Sequence, residues 1–152
     1  MDQTDRKILA ELQRDGSLSN AELADRVGLS TTPCWRRVRL LEEQGYIRSR
    51  VTLLDRDKLN VGVTVFVGIR TSRHDAEWLD EFARVVRTLP EVQEFHRMSG
   101  EVDYLMKVVV PDIAAYDRFY KRLIAEIDLS DVSSSFAMEE IKNTTELPLS
   151  YL

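Results

Sequence analysis

Thr32, Trp35, Arg36 and Arg39 recur at intervals of three and four residues, the spacing that puts side chains on one side of a helix. Hydroxyl, indole and guanidinium groups gathered on one exposed face can hydrogen-bond base edges and hold phosphates, and a helix so equipped fits a DNA major groove. The run opens at Ser30-Thr31-Thr32-Pro33 and closes at Gly45. Ser30 suits an N-cap, and Pro33 is tolerated in a first turn, where its missing amide would have no intrahelical partner. Cys34, Val38 and Leu41 share the opposite, apolar face. Trp35, Arg36 and Arg39 are therefore expected in the groove, with Ser30, Thr31, Thr32 and Arg37 on bases or phosphates.

Such a helix must be held against others to keep its angle. Thr4 to Asp15 carries Ile8, Leu9 and Leu12 on one stripe, and Gly16 ends it. Ser19 or Asn20 caps a second short helix with Leu23, Ala24 and Val27 inward, and Gly28-Leu29 turns the chain into the Ser30 helix. Two short helices and a glycine-containing turn, the second helix presenting its N-terminal residues, spell a helix-turn-helix, winged or plain.

These residues resemble the Lrp/AsnC family of prokaryotic transcription regulators almost end to end. Asp5-Arg6-Lys7-Ile8-Leu9, Glu22-Leu23-Ala24, Val27-Gly28-Leu29-Ser30, Cys34-Trp35-Arg36-Arg37-Val38 and Leu41-Glu42-Glu43-Gln44-Gly45-Tyr46-Ile47 are similar to its N-terminal half. Pro90-Glu91-Val92, Ser99-Gly100-Glu101-Val102-Asp103-Tyr104 and Tyr116-Asp117-Arg118-Phe119 are similar to its second half. The resemblance implies an effector pocket between neighbouring dimers, helped by the Gly-x-x-Asp turn that Gly100 and Asp103 match. Met98, Ser99, Glu101 and Tyr104 fall at the same site, and Ser134, with Ser133 and Ser135, lies in a strand that often adds polar contacts. It also implies dimers formed by packing sheets face to face and assembled into larger rings, usually octamers. Thr31-Thr32-Pro33-Cys34-Trp35, Arg97 to Met106 and Ser134 to Glu139 are similar to a branch that includes cysteine-responsive activators of cysteine breakdown.

Read without the family, the Ser99–Tyr104 turn is open to two interpretations. Glycine lets backbone amides approach a bound group, and a nearby carboxylate can meet an ammonium, so together they could hold both ends of a free amino acid. The same residues could form a solvated hairpin turn, and from spacing alone that is the favoured of the two.

From Val63 the period changes. Val63–Thr71, Val92–Ser99, Val102–Val110 and Val132–Ile141 read as strands, while Ala76–Leu89 and Ile113–Ile127 read as helices. The order β-α-β-β-α-β is the ferredoxin-like arrangement, so the fold class is α+β: a helix-turn-helix domain over residues 1–50, an extended strand or linker over 51–61, and a ferredoxin-like domain over 62–152. Ile47 to Leu54 alternates branched and polar residues and reads as a strand or extended connector, in which Arg48 and Arg50 are either phosphate contacts or the solvated face of a strand. Both helices cover one sheet face, and Phe66, Phe95, Leu105, Val109, Phe136 and Met138 are expected to populate the other as a subunit interface.

The net charge of -5 looks wrong for a DNA binder until its distribution is read. Residues 1–50 hold nine basic and eight acidic side chains, against twelve and eighteen in the rest, so positive potential is local and an acidic remainder discourages indiscriminate binding. One cysteine excludes an intramolecular disulfide framework. No apolar run approaches the ~18 residues of a span, and no basic, apolar leader opens the chain, so a reducing cytoplasm, at the nucleoid and away from membranes, is expected. Cys34 reads as a small core residue.

No catalytic site, cofactor or metal is expected. His74 and His96, the two histidines, sit in different elements and neither neighbours a nucleophile, a ligand cluster or a phosphate loop. The expected partners are operator DNA, further copies of the chain and a small effector, an amino acid such as cysteine. The competing reading is an architectural DNA-organising protein whose second half only oligomerises.

Overall fold

A computed structural model describes residues 1–73 and 75–152; the His74 reading lies outside the described residues. The chain divides into two compact units, residues 1–53 with 142–152, and residues 54–141. The return of 142–152 to the first unit differs from the sequence expectation of one domain running from 62 to 152.

The first unit holds three helices, α1 (Gln3–Arg14), α2 (Asn20–Val27) and α3 (Thr31–Glu43). Two of the starts and two of the ends have a local cause. Asp2 and Asp5 form a reciprocal capping box on α1, and Ser19 and Glu22 do the same for α2. Gly28, at φ 71°, ends α2: its N–H reaches Asp25 O at 3.2 Å, and Leu29 N–H reaches Ala24 O at 2.9 Å. Gly45, at φ 77°, ends α3 with the same pair of bonds, from Gly45 to Glu42 and from Tyr46 to Leu41. Both are Schellman closures, which favour glycine because only it enters the left-handed region without a Cβ penalty. Ile8, Leu23, Ala24, Val27, Cys34, Val38 and Leu41 form one buried cluster. Ile47 to Leu54, expected as a strand or connector, joins no sheet, so no wing strand is paired among the described residues.

The second unit runs β1 (Val63–Arg70), α4 (Ala76–Arg87), β2 (Val92–Arg97), β3 (Tyr104–Val110), α5 (Ile113–Glu126) and β4 (Asp131–Phe136). All pairings are antiparallel in the spatial order β2-β3-β1-β4, the ferredoxin-like topology. Val65, Val67 and Ile69 of β1 and Tyr104, Met106 and Val108 of β3 pack into one core with Trp78, Phe82, Phe119 and Leu123 of the helices.

Register corrects the expected open face. Phe95 packs its ring edge-on to Phe82, centroids 4.8 Å apart, and Phe136 packs on Tyr116 at 5.2 Å, so both face the helices. Met138 lies beyond β4 and is almost fully exposed. The open face instead carries Phe66, Leu105 and Val109 with Lys107, Glu94, His96, Ser133 and Ser135, a mixed surface rather than a purely apolar one. Part of it is covered within the unit, where Arg56 donates to Gly62 O at 3.2 Å and to Thr64 Oγ1 at 2.5 Å, leaving Thr64 buried.

Candidate functional site

α3 stands on a buried face and presents a polar one. Cys34 is fully buried, and burial pushes its thiol pKa up, consistent with an inert core residue. On the other side Ser30, Thr31, Thr32, Trp35, Arg36 and Arg39 are exposed together. Trp35 is 52% exposed, a large indole left in water. Arg39 lies over that ring, 5.8 Å from its centroid, and 3.3 Å from Glu43. Such exposed pairings are weak and exchangeable for a phosphate or base edge. Arg36 meets no carboxylate among the described residues. Ser30 takes the N-cap position without using its hydroxyl as a cap, so the first-turn amides of α3 and that hydroxyl are open to a partner.

Arg37, expected on a base or phosphate, is ion-paired within its own unit. Its Nη1 sits 2.8 Å from Asp2 Oδ2 and 2.7 Å from Asp5 Oδ1, tying α3 to the first turn of α1. The two carboxylates raise the guanidinium pKa further, and the Asp2 carboxyl is held below its usual range, first by the Asp5 N–H it accepts and then by Arg37. Arg37 thus links the middle of α3 to the start of α1. Asn20, one of the two cap candidates, leaves the N-cap of α2 to Ser19 and instead donates from its Nδ2 to Thr31 O at 3.0 Å, linking α2 to the start of α3. Its position as the first residue of a capped helix was visible, but its partner eleven residues away was not.

The turn between β2 and β3 is fastened to the end of β1. Met98 N–H donates to Asp103 O, and Asp103 N–H to Ile69 O, both at 2.8 Å. Asp103 Oδ2 accepts the Thr71 N–H at 2.8 Å, and Arg70 Nε donates to Glu101 O at 2.6 Å. Met98, Ser99, Gly100 and Glu101 are left exposed. Gly100 has φ 123°, and a Cβ placed there would meet nothing within 4 Å, so glycine is required by backbone conformation rather than by crowding in this chain. Gly68, overlooked in the sequence, is crowded: its Cβ would lie 3.0 Å from Val102 Cγ1. A glycine inside a strand run was the available signal.

Two expected effector contacts are taken up elsewhere. Tyr104 is buried among Trp78, Phe82 and Phe95, on the helix side of the sheet. Ser134 shares a short hydrogen bond with the Tyr116 hydroxyl on that same side, while Ser133 and Ser135 point to the open face. His96 is exposed and paired with Glu94 at 3.2 Å. Lys107 and then His96 lower the Glu94 pKa. Among the described residues no group of acidic, histidine and cysteine side chains could hold a metal, and no helix is long and apolar enough to cross a membrane.

A helix-turn-helix followed by a ferredoxin-like domain with a glycine turn at its sheet edge is matched in known proteins. The family profile described as Lrp/AsnC ligand binding domain matches residues 64–147, and one described as winged helix-turn-helix DNA-binding matches residues 1–48. The chain belongs to the Lrp/AsnC family. It is 53% identical over 150 residues to the DNA-binding transcriptional activator DecR of Escherichia coli, covering 98% of this chain and 99% of that protein. The crystal structure of an AsnC family transcriptional regulator from Agrobacterium tumefaciens is 65% identical, superposes with a TM-score of 0.97, and is covered over 100% of this chain and 99% of that one. A transcriptional regulator from Neisseria meningitidis, solved as a complex with L-Met, is 39% identical with a TM-score of 0.95, covering 99% and 98%. This Lrp/AsnC chain is a DNA-binding transcription regulator with a ligand-binding, oligomerising second domain, and not an enzyme.

Proposed function

We propose that this regulator reads operator DNA with Trp35, Arg36 and Arg39 of α3, with Ser30, Thr31 and Thr32 on adjacent bases or phosphates, and adjusts that binding to an amino acid. The observation that carries the DNA half is that α3 leaves an indole, two arginines and its first-turn hydroxyls in solvent while Arg37 and Asn20 brace its back and its start. Support for the amino-acid half comes from the L-Met complex of the Neisseria relative and from the exposed Met98–Glu101 turn beside Asp103. In this reading Gly100 and its neighbours offer backbone donors to the ligand carboxylate. Asp103 keeps one oxygen on Thr71 and offers the other to the ammonium. Ser133 and Ser135, exposed on the open sheet face, replace Ser134 as candidate polar contacts.

Cysteine is the proposed effector, on the similarity of Arg97 to Met106 and Ser134 to Glu139 to the cysteine-responsive branch. Dimers packed through their sheets and gathered into octamers would set paired reading helices on two operator half-sites and supply the missing walls of the turn. The protein would act in the cytoplasm, on the nucleoid. The test is a thermal-shift and calorimetric screen of the full-length protein against the twenty amino acids. A ligand at a hundred times its dissociation constant stabilises by about 2.7 kcal/mol, so a bound amino acid gives a clear upward shift. A shift with cysteine supports the full reading, one with another amino acid replaces the effector, and none at all favours the architectural role.

A further inference from the structure

Arg6 and Gln13 lie two turns apart on one face of α1, with Arg14 adjoining and with Leu9 between them packed partly against the unit's buried cluster, and the 142–152 segment meets this face. Gln13 makes both halves of a peptide-like pairing with Leu147. Its Nε2 donates to Leu147 O at 3.1 Å, and its Oε1 accepts the Leu147 N–H at 2.9 Å. A carboxamide can do this because it offers a donor and an acceptor side by side, as a backbone does. Arg14 Nε stands 3.4 Å from Glu146, and Arg6 donates to the main-chain oxygen of Leu152. The contacts therefore run antiparallel, with Glu146 and Leu147 at the end of α1 and Leu152 near its start. A short 3-10 turn, Leu149–Tyr151, takes up the slack over the roughly 10 Å of helix between Arg6 and Gln13.

The attachment is light. Leu147 is 72% exposed although it lines, with Leu9, Leu12, Leu149 and Leu152, a cavity of roughly 850 Å³. Contacts made by solvent-exposed hydrogen bonds and ion pairs hold a segment without locking it. The segment also has a particular origin. It follows β4 after residues 137–141 alone, and β4 carries Ser133 to Ser135. The DNA-reading unit is thus joined to the rest of the chain twice, at 53/54 and at 141/142.

We infer that residues 142–152 form a detachable strap, bound to α1 through Gln13, Arg14 and Arg6, and that effector binding acts on DNA affinity by changing how firmly this second tether is seated. The inference rests on the amino-acid-sensing reading for its regulatory half, while the strap itself rests on the α1 contacts. Gln13→Leu and Leu147→Pro test it in the full-length protein. The first removes both side-chain bonds and keeps a good helix former; the second removes the Leu147 N–H in an exposed segment, and neither touches α3. Hydrogen exchange at the Leu9–Arg14 amides should quicken about tenfold in both, the effect of losing one or two hydrogen bonds, with β1 and β3 unchanged. Calorimetry should still show the amino acid binding, but the ratio of operator affinities with and without it should fall to about one. Unchanged α1 exchange in both variants overturns the strap, and a wild-type affinity ratio in both overturns its regulatory role. If the wild type itself shows no amino-acid response, the sensing reading fails separately and the strap stands or falls on the α1 exchange.

Discussion

The reading helix and the turn at Ser99–Asp103 meet solvent in opposite ways. α3 buries Cys34, Val38 and Leu41 and leaves Trp35, Arg36 and Arg39 outside, so its presenting surface is complete on one element. The turn has its strongest side chains already engaged, Asp103 on the Thr71 amide and Tyr104 in the aromatic core, and the space beside Gly100 is open. A large, rigid polyanion can be read from one exposed helix. A molecule of a few atoms must be enclosed, and a single turn supplies one wall.

The hardest break falls under the turn. Phe82 is fully buried against Trp78, Phe95 and Tyr104, so Phe82→Ala should cost about 3–5 kcal/mol of stability in the second unit. Urea unfolding of the full chain measures this, and amide exchange in α2 and α3 should change little. A gentler pair separates structure from sensing at Asp103. Asp103→Ala strands the Thr71 N–H and should lose about 1–3 kcal/mol, whereas Asp103→Asn keeps an acceptor there and should stay within about 1 kcal/mol of wild type. Both should lose amino-acid binding by calorimetry, because both lose the charge proposed to meet an ammonium. Equal stability of the two variants would remove Asp103 from its bracing role.

On the reading side, Arg37→Ala should lower the melting temperature slightly, since its ion pairs are partly exposed and such pairs are worth about 1 kcal/mol or less. Its effect on operator affinity should be smaller than that of Arg36→Ala. The smallest effect is with acid. Asp2, Glu22 and Asp75, the carboxylates that cap α1, α2 and α4, all have lowered pKa values, mainly through hydrogen bonds from backbone or hydroxyl groups. Their stabilisation is fully present above the ordinary carboxylate range and is lost as the pH falls through the lowered values. Circular dichroism from about pH 6 down to about pH 2, a span that brackets the usual carboxylate titration, should show helix ends loosening only at the acid end.

Much of this contrast could be read from the sequence because it is local. The cap at Ser19, the glycines at 28 and 45, and the three-four spacing through α3 each declare themselves within a few residues. So does the βαββαβ order. What stayed hidden depends on partners far along the chain. Arg37 reads as a DNA contact, and its pairing with Asp2 and Asp5, 35 and 32 residues away, has no local sign. Phe95 changes face because β2 has a register shift between Val92 and Glu94, which breaks simple alternation. Phe136 faces α5 because it pairs with Val65, and strand parity alone cannot set that register. The Gln13–Leu147 pairing spans 134 residues and has no signature in either segment.

The central claim, that the exposed face of α3 reads DNA, is tested most directly by fluorescence anisotropy on a duplex selected by the protein from random sequence, titrated at several salt concentrations. Arg36→Ala and Arg39→Ala should each weaken binding by about 1–3 kcal/mol, with relaxed preference at one base pair for a base contact or a flatter salt dependence for a phosphate contact, and with fold and assembly intact. Wild-type affinity, selectivity and salt dependence in both variants would contradict the account.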